Sequence, residues 1–299
     1  MRKIPALIVS GFLGSGKTTL VRRLLAAAQQ EGSRVAFISN ELGELGVDAA
    51  LLGGGESSFV ELAGGCVCCA LNDALHETLI ALHARMDPDR IVVETSGVAV
   101  PHDVQITFWQ DPIRDWISEE AVVVVVNAEQ VLEGRELEGT FVEQLESADL
   151  VLLNKIDLVP AADQAALQAQ VADLAPGVPV LLCDHADVDP RVLLAERAEP
   201  RLERAASAEH DHAAHAHLHE RYRSWEERVP PGLSLEEVEA RLKIPGRLRV
   251  KGFVSLDQGP AVVQGVGRRL EIVPADGPVD PALLGRVVLI AVRSPPEAP

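Results

Sequence analysis

The segment Gly11-Phe12-Leu13-Gly14-Ser15-Gly16-Lys17-Thr18-Thr19 constrains the fold of this chain more than any other. It follows an apolar run over residues 4–10 and opens a helical pattern over residues 17–30. A strand, a glycine turn and a helix in that order form a cradle for phosphate. The turn lets backbone N–H groups point inward, and the following helix presents its positive end. Lys17 is placed to neutralise β- and γ-phosphates, and the Thr18 hydroxyl to bind Mg²⁺. A glycine-rich turn without a ligand is the alternative, and it leaves that flanking context unexplained.

The rest of the first 190 residues repeats the alternation. Strands are predicted over residues 4–10, 34–39, 59–62, 90–94, 121–127, 150–154 and 178–182, with helices over 17–30, 71–85, 140–146 and 161–174. Val122 to Val126 are consecutive valines, apolar on both faces, as in a central strand with helices on each side. The predicted fold class is therefore α/β: a P-loop NTPase domain over residues 1–190, with a mostly parallel sheet and helices on both faces. Residues 191–232 are charged and alanine-rich and read as a linker. Residues 233–299 read as a small α+β domain, with helices over 233–242 and 280–284 and strands over 247–255, 261–266, 268–273 and 286–292.

Two strand ends carry further chemistry. Asn154-Lys155-Ile156-Asp157 ends the strand over 150–154. A carboxylate such as Asp157 accepts hydrogen bonds from guanine N1 and N2, which adenine does not offer. Asn154 is expected at the purine edge and Lys155 along the base, so GTP is favoured over ATP. Glu94-Thr95-Ser96-Gly97 ends the strand over 90–94. Glu94 is a candidate for holding Mg²⁺ or its water, or for orienting the attacking water. Gly97 lets the backbone approach the γ-phosphate. An ordinary strand-to-loop turn is the competing reading.

Three of the four cysteines crowd into Gly64-Gly65-Cys66-Val67-Cys68-Cys69. Neighbouring cysteines rarely bridge one another without strain, so the cluster reads as metal or redox chemistry in a reducing, cytoplasmic setting. In an extended chain Cys66 and Cys68 point the same way. Soft thiolates in tetrahedral array suit Zn²⁺, with Co²⁺ or Cu⁺ also open. The set is incomplete for a closed site, which calls for an outside ligand and leaves a homodimer open. A buried apolar trio or a redox thiol pair are the competing readings. Cys183, at the end of an apolar strand, reads as core.

His210, His212, His215, His217 and His219 fall within ten residues. Imidazoles at that density bind Zn²⁺, Ni²⁺ or Co²⁺ loosely, which suggests a loading tract, against the plainer alternative of a solvated linker. His76 and His83 read as a half-exposed helical surface. Trp109 and Trp116 are expected to anchor a loop. The net charge of −18 disfavours nonspecific binding of nucleic acid. No stretch approaches the roughly 20 apolar residues of a membrane span.

Taken together, the glycine loop, Asn40-Glu41-Leu42-Gly43-Glu44, Gly65-Cys66-Val67-Cys68-Cys69, Glu94-Thr95-Ser96-Gly97 and Asn154-Lys155-Ile156-Asp157 resemble the CobW-type GTPases. That family comprises metal chaperones related to the urease and hydrogenase accessory GTPases. The resemblance extends to the histidine-rich insertion and to Val250-Lys251-Gly252-Phe253-Val254 near the C-terminus. It implies a switch loop after Asn40, with Glu41, Glu44 and Asp48 as candidate ligands for Mg²⁺ or for the transferred metal. It also implies GTP hydrolysis and a client metalloprotein or cofactor-assembly enzyme. Two other function classes stay open on the residues alone: a metal buffer or sensor with structural nucleotide, and a P-loop kinase acting on a small molecule.

Overall fold

A computed structural model describes residues 3–39, 58–61, 68–135, 137–194, 222–275 and 278–292. The chain divides into two compact units, Met1–Pro190 and Arg191–Pro299.

The first unit is built on a seven-stranded sheet. Its strands are β1 (Ile4–Ser10), β2 (Val35–Ser39), β3 (Ser58–Glu61), β4 (Arg90–Glu94), β5 (Ile117–Asn127), β6 (Leu150–Asn154) and β7 (Val180–Leu182), in spatial order β3-β2-β4-β1-β5-β6-β7. Every pairing is parallel. Parallel neighbours need crossovers, which the helices α1 (Lys17–Gln30), α2 (Cys68–Met86), α3 (Pro101–Phe108), α4 (Ala128–Leu132), α5 (Thr140–Ser147) and α6 (Ala161–Leu174) provide. Val122 to Val126 are buried throughout, so β5 is covered on both faces, as its run of valines requires.

Because the strands are parallel, their C-terminal ends share one edge of the sheet. Val9 pairs with Glu94, and Asn127 with Asn154. This register puts the glycine loop, Glu94 and Asn154 on the same rim, where ligands of open α/β sheets bind.

Several local expectations are corrected. Helix α2 begins at Cys68, so Cys68 and Cys69 occupy its first turn rather than an extended loop. The helix is held by Leu75, Leu79 and Leu82, buried at helical spacing. Helix α3, with Pro101 at its first position, was not anticipated, because at eight residues it carries little periodic signal.

After the short helix α7 (Pro190–Leu193), where the chain divides, the second unit contains β8 (Tyr222–Arg228), α8 (Leu235–Leu242), β9 (Arg247–Leu256), β10 (Gly259–Val266), β11 (Glu271–Pro274) and β12 (Arg286–Val292). The strands form an antiparallel sheet in the order β11-β10-β9-β12-β8. Val238 and Leu242 of α8 join Val250, Val254, Ala261, Val263, Val287 and Leu289 in one core cluster. Ser234 and Glu237 cap α8 reciprocally, Ser234 Oγ accepting from Glu237 N and Glu237 Oε2 from Ser234 N.

Strand β8 lies inside the segment expected to be linker. Its residues Tyr-Arg-Ser-Trp-Glu-Glu-Arg have the charged composition of an edge strand, and only pairing with β12 reveals it. Residues 280–284 form a turn instead of a helix. Asp280 Oδ1 accepts from Ala282 N at 2.9 Å, a local bond that competes with helix formation. Gly285 then leaves the turn with φ 78°.

Candidate functional site

The glycine loop folds as its composition requires. Gly11 and Gly16 have φ of 134° and 110°, a region that L side chains rarely adopt. Neither position has room for a Cβ. One on Gly11 would lie 2.1 Å from the Val125 carbonyl oxygen, and one on Gly16 2.3 Å from Asn154 Nδ2. The loop delivers the chain into α1, where Lys17 is buried and its Nζ donates to the Phe12 carbonyl at 3.3 Å. Thr19 follows on the exposed side of α1. Ser15 is buried, and its Oγ has no hydrogen-bond partner among the described residues. A buried hydroxyl in a loop of inward-turned amides suits a phosphate oxygen.

Glu94 and Thr18, 76 residues apart in sequence, come together. Thr18 Oγ1 donates to Glu94 Oε1 at 2.9 Å, and Glu94 is fully buried at the end of β4. Two hard oxygen donors beside a phosphate cradle are the donor set that Mg²⁺ takes. The chain after Glu94 is pinned to β1, with Thr95 N donating to the Val9 carbonyl at 3.0 Å and Thr95 Oγ1 to Ser10 Oγ at 2.9 Å.

Both polar atoms of Asn154 make hydrogen bonds within the protein. Its Nδ2 donates to the Ser15 carbonyl at 2.8 Å. Its Oδ1 accepts from Ala186 N at 2.8 Å and from the Cys183 thiol at 3.6 Å. A carbonyl on one side and an N–H on the other fix the amide orientation. Asn154 thus ties the glycine loop to the turn after β7. Lys155 adopts a left-handed conformation with φ 61°, and Asp157 is exposed on the 3-10 turn Ile156–Leu158. Gln164 Nε2 braces that turn by donating to the Ile156 and Val159 carbonyls, each at 3.1 Å.

Cys183 is buried, as its apolar setting suggested, and additionally holds Asn154. The neighbouring turn is conformationally unusual, with His185 and Ala186 both at positive φ. His76 and His83 are half-exposed on α2, as expected, and the His83 ring stacks on buried Trp116 at 4.4 Å. Trp116 anchors its loop as expected, whereas Trp109 stays half exposed and donates from Nε1 to Glu120 Oε1 at 3.1 Å.

Sequence reasoning missed Gln144. It is fully buried on α5 and donates to the carbonyls of Gly97 and Ala99. Its signal was a polar residue between Phe141 and Leu145 on the apolar face of an amphipathic helix.

Of the expected metal ligands, Cys68 and Cys69 begin α2. Glu41, Glu44, Asp48, Cys66, His210, His212, His215, His217 and His219 lie outside the described residues. Among the described residues no group of three or more His, Cys, Asp or Glu side chains is arranged to hold a metal ion. None of the described helices is long and apolar enough to cross a membrane.

Residues 5–182 match the family model described as CobW/HypB/UreG, nucleotide-binding domain. The chain belongs to this family. Among its CobW-type relatives, a zinc chaperone CobW of Pseudomonas aeruginosa is 35% identical over 91% of this chain and 82% of its own length. A zinc chaperone CobW of a Sinorhizobium species is 31% identical over 90% and 87% respectively. The zinc chaperone YjiA of Escherichia coli K12 is 32% identical over 63% and 60%. In this CobW-type protein the glycine loop, Glu94 and Asn154 lie on the rim formed by β1, β4 and β6.

Proposed function

We propose that this protein is a Mg²⁺-dependent GTPase that binds a transition metal as cargo, Zn²⁺ or Co²⁺, and delivers it to a client metalloprotein or cofactor-assembly enzyme. The observation that carries the nucleotide half is the Thr18–Glu94 pair beside buried Lys17, at the mouth of a loop that excludes any Cβ at Gly11 and Gly16. Thr18 and Glu94 would hold Mg²⁺, which would supply charge neutralisation at the phosphate oxygens. Lys17 neutralises the same oxygens from the first turn of α1, and the loop amides orient the phosphates for in-line attack by water. Asp157 accepts from guanine N1–H and N2–H, and Lys155 flanks the base. Asn154 serves recognition by keeping the loops around the nucleotide together.

The metal half rests on Cys66, Cys68 and Cys69 and on likeness to relatives named as zinc chaperones. Glu41 and the histidines from His210 to His219 are auxiliary ligands in this reading. A reducing cytoplasm keeps the thiols available. Helix α2, which begins with two of them, is tied to the loop after α3 by a 3.0 Å contact between His76 Nε2 and the Asp111 carbonyl. Nucleotide and metal are coupled only if the GTP form binds metal more tightly than the GDP form. Competition titration of Zn²⁺ and Co²⁺ against the protein loaded with GDP or a slowly hydrolysed GTP analogue tests this. Equal affinities in the two states refute coupled delivery. Loss of phosphate release in Lys17→Ala, with turnover intact in the wild type, is the expected result for the enzyme.

A further inference from the structure

We infer that Gln144 is a positioning residue that fixes the loop after Glu94 against the phosphate cradle and so sets the preference for GTP over GDP; this rests on the GTPase reading above. Gln144 is fully buried on α5. Its Nε2 reaches the Gly97 carbonyl at 3.2 Å and the Ala99 carbonyl at 2.9 Å. Both partners are acceptors, so only the nitrogen can face them, and the amide orientation is settled. The other end of the amide, Oε1, is buried with no hydrogen-bond partner among the described residues. An amide that leaves one end unsatisfied is an inefficient way to fill space where leucine would serve. Its two donated bonds are what distinguish it from leucine.

Those bonds act at the point where the loop presses on the cradle. A Cβ on Gly97 would lie 2.8 Å from Leu13 N and 3.1 Å from Leu13 Cα. The loop is anchored upstream by Glu94 on Thr18 and by Thr95 on Val9 and Ser10. Beyond these it turns through Ala99 N to the Ser96 carbonyl at 3.1 Å. The amide of Gln144 is what spans from α5 to the crest of that turn. Glu94 binds the same threonine that the glycine motif assigns to the β,γ side of the nucleotide, and Gly97 lies three residues further on. GTP and GDP differ only in the γ-phosphate, so a change in loop position is read as a change in their affinity ratio.

The test uses the full chain as Gln144→Met, which keeps volume and removes both donors, and Gln144→Asn, which keeps the amide but shortens its reach. Kd for GTP, in the form of a slowly hydrolysed analogue, and for GDP are measured by titration, together with kcat at saturating GTP and Tm. The expected result is about a tenfold loss in both analogue affinity and kcat, with Kd for GDP within about twofold of wild type, from two hydrogen bonds of ordinary strength. Gln144→Asn should fall in the same direction, and it carries the comparison if Gln144→Met does not fold. A parallel weakening of both nucleotides, or unchanged values for both, overturns the inference by reducing Gln144 to a packing residue. A wild type that binds GTP but shows no turnover refutes the GTPase reading instead, and the affinity ratio in the variants still decides the role of Gln144.

Discussion

Replacing Asn154 with alanine should cost far more than an ordinary site mutation, because one side chain satisfies two otherwise stranded backbone groups. Asn154 is 2% exposed. Removing its amide strands the Ser15 carbonyl and the Ala186 N–H, which it now meets at 2.8 Å each. A buried polar group left unsatisfied costs about 1–3 kcal/mol, so the two together cost about 4 kcal/mol. For a unit of this size, about 3 °C of Tm is lost per kcal/mol, giving a fall of about 12 °C. Asn154→Asp should be no milder, because it sets an acceptor against the Ser15 carbonyl and buries a charge. The assay is thermal unfolding followed by circular dichroism, with and without saturating GDP. GDP should recover part of the loss in the alanine variant, since it supplies new partners for the freed loop. A fall of less than about 3 °C in Asn154→Ala, without nucleotide, would refute the claim that this residue joins the two loops.

Two further expectations concern the second unit. Arg247 is buried, and burial pushes its pKa down, yet its guanidinium donates to the Leu242 carbonyl at 2.7 Å and to the carbonyls of Gly267, Arg268 and Arg269 at 3.1–3.2 Å. Arg247→Met should destabilise this unit by about 3 kcal/mol, read as a lower urea midpoint at unchanged slope. Glu226 is held below its ordinary value of 4.5, chiefly by its hydrogen bond from Arg286. Because the folded value is the depressed one, the pair contributes above the unfolded value and is lost as pH falls through the folded one. Glu226→Gln should therefore lower Tm by about 1 °C at pH 7, small because the pair is solvent-screened, and leave the Tm unchanged near pH 2.

What could be read from the sequence was whatever is encoded locally. The run Ile4–Ser10 and the helix Lys17–Gln30 announce themselves by period and by the glycines between them, and the valines of β5 announce a buried strand. Glu94 was singled out because an acid ended an apolar run, and the structure brings it to Thr18. What escaped depends on partners distant in the chain. Strand β8 has no apolar alternation of its own and exists through β12. The bonds of Asn154 to Ser15 and Ala186 are not written in its motif and arise only when three strand ends meet. Gln144 drew no attention because a lone glutamine on a helix usually faces water. The two cysteines looked like loop residues because glycines precede them, but the helix they begin is fixed by Leu75, Leu79 and Leu82 further along.

The pairing of β8 with β12 bears on where the chain can be cut. A fragment started after Pro230-Pro231-Gly232, where composition marks the boundary, would keep α8 and the hairpins but discard Tyr222–Arg228. Arg286–Val292 would then become the rim of the sheet, with Val287-Val288-Leu289-Ile290-Ala291-Val292 offering unpaired backbone along an apolar run. Such an edge invites pairing with another copy of itself. In the intact chain the glutamates and arginines of β8 occupy that edge, so these few charged residues keep the fragment's most adhesive strand in the interior of the sheet.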